Sequence, residues 1–281
     1  LSVDDQKVRD AARMMSEKLH AYGWEYINID DGWEAPERTK GGEILSNDKF
    51  PDFKALTDYI HGLGLKFGIY SSPGATTCGG HVGSYQHEEI DARTWERWGG
   101  DYLKYDYCGY LDIEKDSKEE TIQEPYIVMR NALDKVKRDI VFCVGYGAPN
   151  VWNWAAEAGG NQWRTTRDIT DEWNVVTAIG TFQDVCADAT APGRNNDPDM
   201  LVVGKLGQGW GSKVHDSYLT SDEQYSHISL WCILSAPLLI GCDMANMDDF
   251  TLNLLTNNEV IAVSQDPMVA PARKMLVKNG Q

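Results

Sequence analysis

Apolar residues along this chain recur first at helical spacing, then in short unbroken runs, and the two patterns alternate from end to end. Val8, Ala11, Ala12, Met15 and Leu19 lie at helical intervals within 3–21, which predicts a helix stopped by Tyr22-Gly23. The apolar stretch at 25–30 then reads as a strand. The same reasoning predicts helices over 53–63, 90–98, 121–136, 151–158, 171–182 and 221–235, with a last one beginning at 252–257. It predicts further strands over 65–70, 101–105, 140–144, 163–167, 199–203 and 237–241. Strands alternating with helices imply an α/β fold with a parallel sheet and right-handed crossovers.

Seven strands preceded by a helix fit a (β/α)8 TIM barrel whose first strand would lie upstream of Leu1. The barrel is then expected over 1–268, holding strands two to eight and their helices. An open doubly wound sheet is the alternative, but no Gly-x-Gly-x-x-Gly supports it. Residues 269–281 read as an exit from the barrel: Val269-Ala-Pro-Ala-Arg273 has linker composition, and Lys274–Lys278 could open a strand of a further domain. A barrel lacking one strand exposes two parallel edges, so these residues expressed alone are expected to be insoluble or inactive.

The net charge of −17 argues against nucleic acid or an anionic membrane surface as partner, since both need basic patches. No apolar run reaches about 18 residues, so no membrane insertion is expected. The six cysteines form no Cys-x-x-Cys pair, which argues against structural zinc; one or two disulfides would suit a secreted or periplasmic protein. No Asn-x-Ser/Thr sequon occurs, which leans away from a glycosylated lysosomal or secreted eukaryotic protein. Ten Trp and thirteen Tyr would suit stacking on sugar faces, although core packing accounts for most aromatic side chains.

The chemistry gathers where strands end. Tyr102–Cys108 closes on Asp106, Ile27–Trp33 on Asp30 and Asp31, and Trp163–Ile169 on Asp168. The carboxyl ends of barrel strands are where active sites form. A single Asp there could equally be a helix cap; three such endings are harder to ascribe to capping. Two carboxyl groups are the minimum for glycoside hydrolysis, one as nucleophile or base and one as acid. Lys104 lies two residues before Asp106, on the same strand face, and would keep it ionised. Alternation also puts Arg164 on the face of Asp168, as a clamp for carboxylate or substrate. Asn196–Met200 is a turn, structural or at the rim of a site. No metal signature appears, and no cofactor is expected. The histidines show no catalytic spacing; His20, His61 and His227 fall in helices and are expected at the surface or as caps.

These segments, in this order, resemble the α-galactosidases and α-N-acetylgalactosaminidases of glycoside hydrolase family twenty-seven, the melibiases. The resemblance rests on Tyr26–Trp33, Gly64–Tyr70, Leu103–Asp106, Trp163-Arg164 with Asp168, Asn196–Leu201 and Val263–Pro267. It implies a retaining exo-α-galactosidase acting on an α-galactosyl oligosaccharide or glycoconjugate, with Asp106 as nucleophile and Asp168 as acid/base. It places Asp30 and Asp31 on the sugar 6- and 4-hydroxyls, with Trp33, Tyr70, Lys104, Arg164 and Asp199 as further pocket residues. It implies a Cys78–Cys108 disulfide beside the pocket and an antiparallel β-domain after the barrel. Whether such a protein forms oligomers stays open.

Two departures bear on substrate. The family usually places Glu or Gln against the sugar 2-hydroxyl about where Gly145 stands here. A glycine there leaves room for a larger 2-substituent, as in N-acetylgalactosaminidases; alternatively Tyr146 fills the space. Asn195 replaces a common Trp. A non-catalytic galactoside-binding barrel is the rival from another class.

Overall fold

Short acidic residues start the first two helices. Asp4 accepts from Lys7 N to cap α1 (Asp5–Met14), and Asp52 accepts from Ala55 N to cap α2 (Phe53–Gly62). The computed structural model of the chain describes residues 2–116, 118–147, 150–207 and 213–275. These divide into two compact units, one built mainly of the chain up to Tyr146 and the other mainly of Gln162–Gly207 and Val214 onward.

In the first unit α1 does not run on unchanged to Ala21. It widens over Met15–Leu19, tightens over His20–Tyr22, and ends on Gly23, whose φ of 95° suits glycine. Its apolar stripe buries Val8, Ala12, Met15 and Leu19. Four strands follow: β1 (Tyr26–Asn28), β2 (Lys66–Ser71), β3 (Tyr102–Tyr105) and β4 (Val141–Val144). They pair in that order, all parallel, with α2, α3 (Glu88–Trp98) and α4 (Glu119–Leu133) between successive strands. The register sets Tyr70 beside Lys104 and Lys104 beside Cys143. Asp106 N extends the ladder by donating to Ser71 O at 2.9 Å. Phe53 anchors the core, stacked on Trp98 and edge-on to Trp33 and Phe67.

In the second unit β5 (Gln162–Arg164) runs parallel to β6 (Asn195–Asp197). A short antiparallel pair, β7 (Lys205–Leu206) and β8 (His215–Asp216), was not anticipated; two-residue strands carry no periodicity to read. Between β5 and β6 lies α5 (Trp173–Phe182), and after β8 come α6 (Ser221–Ile233), α7 (Asp249–Leu255) and α8 (Asn258–Ser264). A capping box between Thr220 and Glu223 starts α6.

The parallel α/β character stands, with corrections. The strand expected at 199–203 is instead β6, at 195–197. Pro198 has no N–H to continue a ladder, and Asp199 sits at φ 84°, so pairing stops at Asp197. The apolar run after Asp199 and the expected strand at 237–241 keep only one parallel bridge, Leu201 with Ile240. The strand expected to reach 167 ends at Arg164. The helix expected over 151–158 is one 3-10 turn, Val151–Asn153. Asn257 breaks the last helical segment by capping α8. His227 is buried, not superficial: it is 0% exposed, and its Nε2 accepts from Val202 N at 3.1 Å. Burial pushes that imidazole down to about 4, so it is neutral at pH 7. The expected further strand at Lys274–Lys278 falls mostly outside the described residues.

Candidate active site

Asp106 follows β3 directly, so its position is inherited from the parallel register. Tyr70 Oη donates to its Oδ2 at 3.1 Å and Tyr107 N to its Oδ1 at 2.9 Å. Tyr126 Oη fixes the backbone by donating to Asp106 O at 3.0 Å. The Cys78–Cys108 disulfide is formed, and Cys78 Sγ lies 3.3 Å from Asp106 Oδ2.

Burial raises the Asp106 pKa, with Asp30 adding to it; Lys104, Tyr107 N–H and Tyr70 pull the other way. Lys104 acts in the expected direction, favouring the ionised carboxylate, but it only partly offsets burial. The Lys104 ammonium is also shared with a second acid, its Nζ donating to Asp30 Oδ2 at 2.6 Å. Tyr70 is itself held well above the ordinary phenol range by burial and by the carboxylates of Asp106, Asp31 and Asp30, so it remains a donor.

The adjacent acids divide sharply. Asp30 is half-exposed, bonded to Lys104, and accepts from Asp31 N at 2.8 Å. Asp31 is 1% exposed and accepts from Thr77 Oγ1 at 2.9 Å and Gly79 N at 2.6 Å. It thus grips the loop that carries Cys78. Trp33 does not line a pocket: it is 0% exposed, packed on Phe53 and Trp98, with Nε1 donating to Tyr70 O at 3.1 Å. No sugar can reach its faces. It supports Tyr70 from behind.

Glu34 was missed by sequence reasoning. It is 1% exposed, its Oε2 accepts from Gly32 N at 3.0 Å, and its Oε1 has no partner among the described residues. Burial, then the charge of Asp31, pushes its carboxyl up to about 8. The only hint in the sequence is a lone acid in Gly32-Trp-Glu-Ala35.

Gly145 follows β4 and its N donates to Tyr105 O at 2.7 Å. A Cβ at this position would lie 3.0 Å from Asp106 Cα and from Tyr105 O. The neighbouring backbone therefore approaches Gly145 closely on the side where a side chain would begin. Tyr146 packs its ring 4.4 Å from that of Tyr107.

In the second unit Arg164, at the end of β5, is 6% exposed and joins two acids. Its Nη2 lies 3.0 Å from Asp168 Oδ1 and 2.8 Å from Asp199 Oδ2. The Arg164–Asp168 contact was expected from strand alternation; here a turn beyond the strand makes it. The two acids differ in access, with Asp168 93% exposed at the side chain and Asp199 5%. Asp199 is held at its positive φ by three bonds: Asp197 Oδ1 accepts from its N, its O accepts from Trp231 Nε1, and its Oδ2 accepts from Ile169 N. Asp197, also missed, is buried under this turn and bonded by Gln162 Nε2 at 2.7 Å. The Asn196–Met200 segment is thus a buried, hydrogen-bonded turn that holds Asp199 against Arg164.

A family described as alpha galactosidase A, a melibiase family, matches residues 3–266. The alpha-galactosidase of Cyamopsis tetragonoloba is 42% identical over 284 residues, covering 99% of this chain and 64% of the relative. The chain therefore spans a little under two thirds of that relative's length. The solved alpha-galactosidase I of Mortierella vinacea aligns with a TM-score of 0.89 at 35% identity, covering 99% of this chain and 72% of that one. The alpha-galactosidase of Saccharomyces cerevisiae solved with raffinose aligns with a TM-score of 0.83 at 27% identity, covering 96% and 62%.

Proposed function

This chain belongs to the alpha galactosidase A family, and from that premise we propose that it carries the catalytic machinery of a retaining exo-α-galactosidase. Its substrates are terminal α-D-galactosides of oligosaccharides or glycoconjugates, and the raffinose bound by the yeast relative is of that class. Asp106 attacks the anomeric carbon through a carboxylate oxygen, forming a glycosyl ester while the bond to the leaving oxygen breaks. Asp168 gives that oxygen its proton, then takes one from the water that cleaves the ester, so the configuration is retained. Asp30, Asp31, Tyr70, Lys104, Tyr146, Arg164 and Asp199 shape the pocket. The parallel strands are read as those of a (β/α)8 barrel, and the disulfide suits a secreted or periplasmic setting. No described helix is long and apolar enough to cross a membrane.

The observation that carries the reading is the clasp on Asp106, with one oxygen on Tyr70 and the other on Tyr107 N–H. Such a carboxylate is oriented for attack, which a purely binding site does not require. The backbone packed against Gly145 removes the argument for a larger 2-substituent and favours plain galactosides.

Incubation of the complete protein with a 2-deoxy-2-fluoro-α-galactosyl donor bearing a good leaving group tests this. A covalent adduct on the peptide containing Asp106 is expected, together with turnover of aryl α-galactoside. Adduct on another residue would overturn the assignment, and preference for the N-acetyl aryl substrate would move the activity to the rival.

A further inference from the structure

Tyr218 is 73% exposed, yet its ring is not loose. It stacks on His215 with centroids 4.4 Å apart and planes 10° from parallel. Both residues are braced by one carboxylate: Asp171 Oδ2 accepts from Tyr218 N at 2.8 Å and lies 3.8 Å from His215 Nδ1. A second tie follows, with Ser217 N donating to Gly204 O at 2.8 Å and Ser217 Oγ to Val202 O at 2.8 Å. One face of the phenol is therefore covered by imidazole, and the side chain is left accessible to solvent on a fixed backbone.

Asp171 stands three residues after Asp168, a span of at most about 10 Å even if fully extended. Asp168 is the group that protonates the leaving oxygen, so the leaving group must extend outward from it. A preorganised aromatic face on a second loop, hydrogen-bonded to the Asp168 loop through Asp171, is placed to receive that leaving group, since little ordering remains to be done on binding.

We propose that Tyr218, backed by His215 and tied by Asp171 to the Asp168 loop, is the platform for a ring-shaped leaving group: the second sugar of an α-galactosyl oligosaccharide. The inference rests on the reading of Asp168 as acid/base and adds a specificity determinant to it. Tyr218 is not a catalytic residue, because it touches only the departing sugar.

The test compares melibiose, whose leaving group is a glucose ring, with methyl α-galactoside, whose leaving group has no ring. Tyr218→Ala is expected to raise KM for melibiose about tenfold, with kcat nearly unchanged and methyl α-galactoside turned over as by wild type. Tyr218→Phe keeps the ring and is expected to behave as wild type on both. An equal loss on both substrates, or no change on melibiose, would overturn the platform while leaving the activity in place. Failure of the wild-type protein to hydrolyse methyl α-galactoside would instead overturn the activity, and the platform with it.

Discussion

At the scale of single residues, burial outweighs neighbouring charge at several acids. Asp106, Asp197 and Glu34 all have their carboxyl pKa raised, with desolvation the largest cause in each. Glu34 is the clearest case, moving from 4.5 to about 8. Its folded form holds a proton that the unfolded chain releases above 4.5. Its contribution is therefore fully present below that value and is lost as pH rises through about 8. The gap corresponds to at most about 5 kcal/mol. Glu34→Gln is expected to be increasingly more stable than wild type between pH 5 and pH 8, by several degrees in Tm at the upper end. Thermal unfolding of both proteins across that range checks it, and a constant difference would show that Glu34 is ionised throughout. A lone Glu beside Trp33 in the sequence carries no such signal, because burial is a property of what packs around it.

At the scale of elements, two loops do work that strand and helix patterns did not announce. The Cys78–Cys108 disulfide joins the loop after β2 to the loop after β3, and Gly79, next to Cys78, donates to Asp31. Opening it frees the segment that holds Asp31 and leans on Asp106. Reduction is expected to raise KM for galactosides several-fold and to cost about 3 kcal/mol of stability. Assay and denaturant titration with and without reductant would show it; an unchanged KM would mean that Asp31 and its loop stay in place without the bond. The other loop, Asp197-Pro-Asp199, was read as a turn, correctly, but the apolar run after it was mistaken for a strand. Met200–Val203 has a strand's composition, but the missing N–H of Pro198 and the turned-back Asp199 end the β6 ladder before it, and it keeps a single parallel bridge from Leu201 to Ile240.

At the scale of the whole molecule, a net charge of −17 repels acidic ligands over long distances and does little to a neutral one. Hydrolysis of a neutral galactoside is expected to change by less than about twofold in kcat/KM between about 0.02 and about 0.5 M salt. A steep salt dependence would point to a charged natural substrate. The alternation of helix and strand was legible along the chain, because periodicity is local and each element buries its own apolar stripe. So was the acid that directly follows β3, Asp106, whereas Asp168 lies on a turn four residues beyond the end of β5. What lay outside any local window was decided by tertiary structure alone. Lys104 bonds to Asp30 across 74 residues and Asp31 to Thr77 across 46, so which charge meets which partner depends on strand register. Register likewise brings the Asp106 backbone close against Gly145, so backbone occupies space that the sequence left open. Patterns along the chain determined the elements and the residue types available for chemistry; exclusion of water and long-range pairing determined which acids are buried, which are bonded, and which remain open to a substrate.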